Sequence, residues 1–435
     1  MAERLARRRA IVIVPNPAAP YSRGLRVARS LAAEGWEVEI AAQEAVGLSP
    51  EERDGDVIVR RYGRSGPWIQ KLARRPGRPG LGRLVVMKTY RLVARWSEWA
   101  RRHPPPTSQD VRNKLLWPVL DRPWWHTLRQ EVAPADLYHA CGYRAIPVAL
   151  DLAAAARSQG RAGRVVYDVI DIALESNTFA SRHPAWKWLY RRRERGWARR
   201  SDAIVTVNGA IGDHLRRSFG TRDAPVILEN MPPRWLPPAT PPDLVRRAAG
   251  LGPDRRIILY LGRVVAGRGL AEAATAVGLL DRADLVLLGP VDGSWASSTM
   301  PGQALPVMLP AVHPDEVPAW AASADVSTVV RPPTSLNQRL STPNKFWESL
   351  AGGTPVVVDR SADVMCQIVE RDEVGVVVDG GDPREYARGL RTILDAPSPE
   401  REALRARCLK VAHERYNWET AIGPYLALVR RLVSA

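Results

Sequence analysis

Short apolar runs alternate with stretches of helical periodicity along most of the chain. Residues 10–14 form a continuous apolar run, which is typical of a strand covered on both faces. From Gly24 to Gly35 apolar residues recur at helical spacing, and a glycine suits a helix end. Strands that alternate with helices predict parallel βαβ units. Further strands are predicted at residues 37–41, 57–59, 136–140, 165–168, 203–207, 257–261, 284–288, 307–309, 326–330 and 355–358, and helices at residues 186–200, 270–280, 345–351 and from 382 onward.

This rhythm falls into two halves separated by a proline-rich stretch, which we interpret as an interdomain linker at residues 233–245. We expect residues 1–232 to form an N-terminal domain and residues 246–414 a C-terminal domain. A last helix within residues 415–435 is expected to return to the N-terminal domain. The predicted fold class is α/β, with two doubly wound, Rossmann-like domains facing a cleft. Because ligands of such sheets bind beyond the carboxyl ends of the strands, that cleft is the expected site.

A basic, tryptophan-rich insert at about residues 61–130 interrupts the rhythm. The chain has a formal net charge of +17, and this segment alone holds 16 Lys and Arg residues against three acids, together with six of the 15 tryptophans. At helical spacing, Trp96 and Trp99 continue an apolar stripe, and Lys88, Arg91 and Arg95 form a basic stripe beside it. Basic side chains that flank an aromatic stripe are typical of a helix at a membrane surface.

Three interpretations of this insert stay open. The first is a patch that binds an anionic membrane surface, the second is a solvated helix over a tryptophan core, and the third is a nucleic-acid site. We expect no nucleic-acid partner, because no recognition motif accompanies the charge. The basic helix predicted at residues 186–200 would extend the same face.

Composition excludes several other classes of protein. Charged residues make up 25% and hydrophobic residues 45% of the chain, which are ordinary values for a folded protein. Cys141, Cys366 and Cys408 lie far apart and form no C-x-x-C pair, so a disulfide framework is excluded and a reducing cytoplasm is favoured. No run approaches about 18 apolar residues, so no membrane span is predicted.

A turn that contains glycine and arginine follows the first strand of the C-terminal half. It reads Leu261-Gly-Arg-Val-Val-Ala-Gly-Arg-Gly269 and leads into a predicted helix. Its glycines let backbone amides approach a ligand, and the helix start adds N–H groups and partial positive charge. Arg263 and Arg268 add two positive charges. Two interpretations stay open, an anion site and a plain βα turn with solvated arginines.

A second candidate segment reads Ser341-Thr-Pro-Asn-Lys-Phe-Trp-Glu348 and is followed by Gly352-Gly-Thr-Pro-Val-Val357. Glu348 lies within a short predicted helix that ends at the glycine pair and precedes a buried strand. A carboxylate there can accept hydrogen bonds from both hydroxyls of a ribose. The alternative interpretation is a solvated glutamate on a helix surface.

Together the two segments resemble the family 4 glycosyltransferases of the GT-B fold, which transfer a sugar from a nucleotide donor. In that family a G-R-x(4)-K-G loop grips the donor diphosphate. Gly262, Arg263, Arg268 and Gly269 match this loop, with an arginine in the lysine position.

The second segment resembles the E-x(7)-E motif of the same family, whose second glutamate binds the donor ribose. Glu348 matches that glutamate, whereas the position of the first is occupied by Leu340. The form P-N-K-x-x-E resembles a subgroup of the family in which Lys345 binds phosphate. The resemblance implies donor contacts from Gly24, Gly262, Arg263, Arg268, Gly269, Ser341, Thr342, Asn344, Lys345 and Glu348.

The resemblance also implies a retaining transfer, in which the departing diphosphate oxygen accepts the proton of the incoming hydroxyl. The protein then has to stabilise the charge that develops on the diphosphate. Arg263 and Arg268 are the predicted leaving-group stabilisers, and no cofactor or metal is expected. His139 and Asp171, at the ends of N-terminal strands, are further catalytic candidates, while Cys141 stands where family members often carry a histidine.

These features imply a hexosyltransferase-type enzyme of bacterial glycan or glycoconjugate biosynthesis. Its nucleotide-sugar donor is expected in the C-terminal domain and its glycan or lipid-linked acceptor on the N-terminal domain. The expected location is the cytoplasm, peripheral on the inner face of the plasma membrane. One alternative is a non-hydrolysing nucleotide-sugar epimerase, which needs paired carboxylates and histidines that we do not find. The other is a non-catalytic, membrane-docking scaffold of the same fold.

Overall fold

The computed structural model describes residues 8–19, 21–63, 121–176, 179, 184–238, 240, 243–265, 267–291, 305–330 and 335–434. The helical stripes predicted in the insert, with Lys88, Arg91, Arg95, Trp96 and Trp99, lie outside these residues. Within them, no helix is both long and apolar enough to cross a membrane.

Most strands of the described residues are short apolar runs. They are β1 Arg9–Ile13, β2 Glu37–Gln43, β3 Glu51–Asp54, β4 Val57–Tyr62, β5 Leu137–Cys141, β6 Arg164–Val169, β7 Ala203–Thr206, β8 Val226–Ile227, β9 Arg256–Leu261, β10 Ala283–Leu288, β11 Val307–Leu309, β12 Val326–Thr328, β13 Val356–Asp359 and β14 Gly375–Val378.

Helices connect most of these strands. They are α1 Ser22–Ala33, α2 Arg122–Glu131, α3 Ile146–Ser158, α4 Pro184–Arg200, α5 Gly209–Phe219, α6 Leu244–Ala249, α7 Leu270–Val277, α8 Val317–Ala322, α9 Leu336–Leu340, α10 Asn344–Ala351, α11 Asp363–Asp372, α12 Pro383–Leu394, α13 Ser398–Glu414, α14 Trp418–Ala421 and α15 Gly423–Ser434. The strands and helices predicted from the sequence are confirmed to within a few residues at each end.

The strands form two sheets. The first has the order β3-β4-β2-β1-β5-β6-β7-β8 and the second has the order β11-β10-β9-β12-β13-β14. Counted within the second half, this second order is 3-2-1-4-5-6, the order of a doubly wound dinucleotide-binding sheet. In such a sheet the ligand lies where the strand order reverses, beyond the carboxyl end of the first strand. Strand β9 is that strand, and it lies between β10 and β12.

By their contacts, the residues group into two compact units. The N-terminal unit comprises Met1–Val205, Leu215–Pro225 and Val429–Ala435, and the C-terminal unit comprises Thr206–His214 and Val226–Leu428. Each unit carries a mainly parallel sheet with helices between its strands, so the predicted α/β class with two doubly wound units is confirmed.

After its first residue, Arg256, strand β9 is apolar because both faces of its sheet are covered. Ile258 and Tyr260 pack into one hydrophobic cluster, whereas Ile257, Leu259 and Leu261 pack into a second. Successive side chains of a strand point to opposite faces, so a continuous apolar run is what a central parallel strand requires. This burial fixes the strand end from which the predicted anion-binding turn leaves.

Two features of the N-terminal unit differ from expectation. Strand β3 pairs antiparallel with β4. The hydrophobic pattern does not predict this strand, because Glu51–Asp54 is entirely polar. Helix α2 lies within the predicted insert, but it is part of the fold. Its Trp124 is fully buried and donates from Nε1 to the carbonyl of Ala42 at 3.1 Å. The segment predicted as an insert at about 61–130 therefore overlaps the fold at both ends, in β4 and in α2. Its composition does not mark these boundaries, because basic residues and tryptophans continue into α2.

The helix predicted from residue 382 onward is confirmed, and Asp382 is its N-cap. Helix α12 begins with Pro383, and the side chain of Asp382 accepts a hydrogen bond from the amide of Arg384 at 2.9 Å. In a capping box the acid at the third helical position would bond the amide of the cap residue. Glu385 instead reaches further back and accepts from the amide of Asp379 at 2.9 Å.

Candidate functional site

The predicted anion-binding turn leaves the sheet at its topological switch point. At the end of β9, the amide of Gly262 donates to the carbonyl of Leu288 at 2.9 Å, and the amide of Val264 donates to that of Pro290 at 2.9 Å. Gly262 has φ +105°, a backbone conformation that favours glycine. These two bonds fix the backbone on both sides of Arg263 against the end of β10 and the residues that follow it.

The far end of the turn is a helix start. Gly269, with φ +72°, is the N-cap of α7, so the first amides of that helix face the turn. Arg263 is exposed and Arg268 is partly exposed. The turn thus carries two arginines and leads into a helix N-terminus. Positively charged guanidinium groups and a helix N-terminus both favour an anion.

The second predicted segment lies against this turn. Lys345, in the first turn of α10, places its Nζ 3.3 Å from the centroid of the Tyr260 ring. A Cβ atom built on Gly262 would lie 3.8 Å from Cε of Lys345 and 3.9 Å from its Nζ. Two segments about 80 residues apart in sequence therefore bring a lysine side chain to the glycine of the turn. The structure thus brings Lys345 to the turn, and the diphosphate site itself stays a prediction.

Buried hydroxyl groups hold α10 to the sheet. The Ser349 Oγ donates to Ser327 Oγ at 2.7 Å and lies 2.6 Å from the carbonyl oxygen of Lys345, one helical turn earlier. Ser327 Oγ in turn lies 3.3 Å from the carbonyl oxygen of Leu259 on β9. Both serines are fully buried. These contacts fix the helix that carries Lys345 relative to the strand that carries the turn.

The loop between α9 and α10, together with α10 itself, contains further predicted donor residues. Ser341 is partly exposed, and Thr342 is buried with a hydroxyl that has no hydrogen-bond partner. Asn344 begins α10 and accepts from Asn230 Nδ2 at 2.6 Å. Glu348 lies one turn further along α10 and is partly exposed. A buried hydroxyl with an unmade hydrogen bond beside a helix start suits a polar ligand.

Leu340 occupies the position of the missing first glutamate. Its carbonyl oxygen accepts from Asn208 Nδ2 at 2.8 Å, and the same Asn208 caps α5 by accepting from the amide of Ile211 at 2.9 Å. The side chain at this position is therefore apolar, where the family motif has a carboxylate. The polar contact that the structure gives this residue is made by its backbone carbonyl.

Sequence reasoning missed two residues next to these segments. Asn230 supports Asn344 through the hydrogen bond given above, and nothing in its short polar loop signals this contact. Its neighbour Glu229 is half-buried, and burial raises its pKa to about 7, partly opposed by the positive charge of Arg371. Their place in the chain is the one feature that could have predicted them, because both residues follow β8, the last strand of the first sheet.

The N-terminal candidates surround a buried ion pair. Arg23 donates to both carboxylate oxygens of Asp168, from Nε at 2.7 Å and from Nη2 at 2.8 Å. His139 Nε2 lies 3.1 Å from Asp168 Oδ2. All three side chains are almost completely buried. Burial alone would raise the pKa of Asp168, but Arg23 and His139 hold it well below its usual range.

This cluster does not fit a metal ion. His139, Cys141 and Asp168 each place one potential ligand atom within 4.8 Å of the others. However, a guanidinium already occupies both oxygens of the carboxylate, and burial raises the pKa of the Cys141 thiol well above its usual range. A cation would meet an adjacent positive charge and a neutral thiol. The cluster is better described as an ion pair that joins α1 to the ends of β5 and β6.

The remaining N-terminal candidates lie at the same edge of the sheet. His139 has no exposed surface in this structure, so its predicted catalytic role would need a rearrangement to reach a substrate. Asp171 follows β6 and is exposed. Gly24 is buried in the first turn of α1, and a Cβ atom there would lie 2.7 Å from Cδ1 of Tyr21. Gly24 therefore allows the close approach of Tyr21, and its contact with a donor stays a prediction.

The family comparison concerns the C-terminal unit. Residues 255–396 match the family model described as glycosyl transferases group 1. For these residues the match confirms the predicted resemblance to glycosyltransferases. The P-N-K subgroup stays a prediction.

Curated relatives match a similar share of the chain. The D-inositol 3-phosphate glycosyltransferase of Acidothermus cellulolyticus is 30% identical over 203 residues, which are 42% of this chain and 43% of the relative. The enzyme of the same name from Thermobispora bispora is 29% identical over 200 residues, 41% of this chain and 44% of the relative. The match thus spans less than half the length of these relatives.

Solved structures match nearly the whole chain. Sucrose-phosphate synthase from Thermosynechococcus elongatus has a TM-score of 0.68 at 14% identity, covering 98% of this chain and 100% of that one. HepE of Anabaena, solved in complex with UDP-glucose, has a TM-score of 0.61 at 14% identity, with coverage of 98% and 100%. At this identity the likeness shows the fold, and the predicted GT-B fold is confirmed.

Proposed function

We propose that this protein is a glycosyltransferase that moves a sugar from a nucleoside-diphosphate sugar to an acceptor. The observation that carries the proposal is the approach of Lys345 to Gly262 at the switch point of a dinucleotide-type sheet. The group 1 glycosyltransferase match covers both residues and supports it. Because one protein of similar fold, HepE of Anabaena, was solved both with UDP and with UDP-glucose, we propose a UDP-sugar as the first donor to test.

Each donor-binding role follows from position. Lys345, Arg263 and Arg268 would neutralise the diphosphate, and the start of α7 would add backbone amides. Thr342 offers its unpartnered hydroxyl, and Glu348 would accept the ribose hydroxyls. Ser341 and Asn344 would line the same loop.

We propose a retaining transfer in which Arg263 and Arg268 stabilise the departing diphosphate without a metal. The diphosphate oxygen then takes the proton from the acceptor hydroxyl as the glycosidic bond to the donor breaks and the new bond forms. This route requires the protein to stabilise negative charge and does not require a catalytic base. Loss of one hydrogen-bond donor to such a charge typically costs about 3 kcal/mol of transition-state stabilisation. It is consistent with a His139 that is buried against Asp168.

The acceptor is proposed to be a glycan or a lipid-linked molecule at an anionic membrane surface, with the N-terminal unit supplying its site. Exposed Trp188 and Leu189 on α4 stand beside Arg192 and Arg193, which are also exposed. An aromatic and aliphatic surface with arginines fits the boundary of an anionic leaflet. This part of the proposal places the protein on the inner face of the plasma membrane.

Calorimetric titration of the full chain with UDP, GDP, ADP and dTDP tests the donor site. Wild type should bind one of them, and Arg268→Ala should weaken that binding about tenfold or more, since charge-assisted hydrogen bonds contribute about 1.5–3 kcal/mol. Glu348→Gln should weaken it by a similar factor through the ribose. Arg388→Ala on α12 and Glu402→Gln on α13, which change exposed residues, are the matched controls and should leave it unchanged.

The same titration and a product analysis separate the alternatives. Absence of binding to all four nucleotides would favour a non-catalytic scaffold. Conversion of the nucleotide sugar without any acceptor would identify an epimerase. Transfer to an acceptor that is lost in Arg268→Ala supports the glycosyltransferase.

A further inference from the structure

We propose that Tyr260 is a positioning residue for the diphosphate site, a role that rests on the function proposed above. Its ring would set the position of the Lys345 ammonium, and its hydroxyl would set the backbone of the turn at Arg263. One side chain would then fix both cationic segments of the site.

Tyr260 is held rigidly enough to do this. It is the fifth residue of β9, its exposed fraction is 2%, and it packs in the apolar cluster that contains Val264 and Leu270 at the two ends of the turn. A fully packed aromatic side chain can adopt few rotamers, so it restricts the positions of the groups that contact it.

The ring contact orients the lysine. Nζ of Lys345 lies 3.3 Å from the ring centroid, well inside the range of a cation–π interaction. A lysine has a flexible four-carbon stem and loses much rotamer freedom when it is fixed by a ligand. Contact with the ring face restricts that freedom in advance and leaves the formal charge of the ammonium in place. A phosphate that binds Lys345 then meets a preorganised cation.

The hydroxyl contact orients the turn. Tyr260 Oη donates to the carbonyl of Arg263 at 3.0 Å. This bond ties the first arginine of the turn to the residue that carries the ring, and it lies next to the Gly262 backbone that Lys345 approaches. A displacement of Tyr260 would therefore move Lys345 and the Arg263 backbone together.

Fluorinated phenylalanines at position 260 test the ring without changing its shape. Each added fluorine weakens the negative ring face, so UDP affinity of the full chain should fall stepwise from Phe to trifluoro-Phe, by about three- to tenfold in total. In the Lys345→Met background the same series should show no trend. A trend of equal slope in both backgrounds, or no trend in wild type, would overturn the ring assignment.

The hydroxyl is tested by Tyr260→Phe. We expect UDP affinity to fall about two- to fivefold, as for the loss of one hydrogen bond, with the thermal unfolding midpoint within a few degrees of wild type as the check on folding. Unchanged affinity in this variant would overturn the hydroxyl assignment. If wild type itself binds none of the four nucleoside diphosphates, the donor-site proposal fails, and that result is separate from any trend across the variants.

Discussion

Two buried carboxylates of the N-terminal unit have pKa values shifted in opposite directions. Asp168 is ionised because Arg23 offsets the cost of its burial, as described above. Glu194, on the buried face of α4, accepts a hydrogen bond from Tyr167 Oη at 2.8 Å. Burial raises its pKa to about 7, although Tyr167 and the charge of Arg191 lower it in part. Asp168 therefore stays charged because Arg23 donates to both of its oxygens, and Glu194 has no such bidentate bond among those described.

The raised pKa of Glu194 predicts a pH-dependent stability. In the unfolded chain this group ionises near its ordinary pKa of 4.5, whereas in the folded protein it keeps its proton to about pH 7. Folding therefore binds a proton between these values, and the stability that this supplies at low pH is lost as pH rises through 7. We expect the Glu194 contribution to be on the order of 2–3 kcal/mol.

Glu194→Gln measures that contribution, because a glutamine still accepts from Tyr167 but cannot ionise. The variant should be more stable than wild type at pH 8 by about 1–3 kcal/mol and close to wild type at pH 5 in urea unfolding. The exposed substitution Glu402→Gln is the control and should show no such pH dependence. A Glu194→Gln variant that is equally or less stable than wild type at pH 8 would contradict the shift.

At the scale of single elements, the position of α10 decides whether the donor site exists. The helix is only eight residues long, and its own propensity could not fix it. Its apolar residues Phe346, Trp347 and Leu350 are fully buried in one cluster. The serine contacts described above then set its register against β12 and β9. The helix is therefore placed by tertiary packing on one side and by hydroxyl bonds on the other.

Ser349→Ala tests this placement. Removing one buried hydroxyl should cost about 1 kcal/mol of stability and leave Ser327 with one partner fewer. Because Lys345 lies on the same helix, UDP affinity should also fall, by about two- to fivefold. Ser158→Ala removes a helix serine that bonds only exposed backbone on α3 and is the control. Loss of stability with unchanged UDP affinity would show that the serine holds the fold but not the site.

The sequence predicted elements better than contacts. Strands such as β9 and β13 contain continuous apolar runs, and a glycine follows the first run while a proline precedes the second. Burial on both sheet faces leaves few other interpretations of such runs. The polar strand β3 and the tryptophan-rich α2 were missed, because composition there resembles a surface. In the site, the charge of the turn indicated Arg268 and the family resemblance implied Lys345, whereas the sequence pattern gave Tyr260 no role beyond that of a core residue. Contacts between residues far apart in sequence depend on packing, which periodicity does not report.

At the scale of the whole molecule, the positive charge is concentrated in the first half of the chain. Residues 61–130 hold most of the net charge of +17, and α4 of the N-terminal unit adds a further basic surface. The acidic residue of α4, Glu194, is buried and so does not offset this surface charge. Trp188 is 61% exposed, and the centroid of its ring lies 5.9 Å from Cζ of Arg192. An exposed tryptophan under an arginine is apolar and cationic at once, as an anionic leaflet requires.

The triple variant Trp188→Ala, Arg192→Ala, Arg193→Ala should therefore bind anionic vesicles more weakly than wild type. In co-sedimentation with vesicles of phosphatidylglycerol and phosphatidylcholine, we expect a loss of about tenfold or more, since each arginine near such a surface contributes about 1 kcal/mol. Binding of wild type should also weaken as salt is raised. Neutral vesicles of phosphatidylcholine alone should bind both proteins weakly.

Leu236→Ala separates this effect from general hydrophobicity. Leu236 is 72% exposed, more than Trp188, but it lies in a proline-rich segment rather than on a basic helix. If exposed apolar surface alone drove binding, Leu236→Ala would weaken binding to a similar extent as a change at Trp188. If α4 combines charge with an aromatic anchor, only the α4 variant weakens binding to anionic vesicles. Equal binding of the α4 variant and wild type would confine any membrane contact to residues other than this helix face.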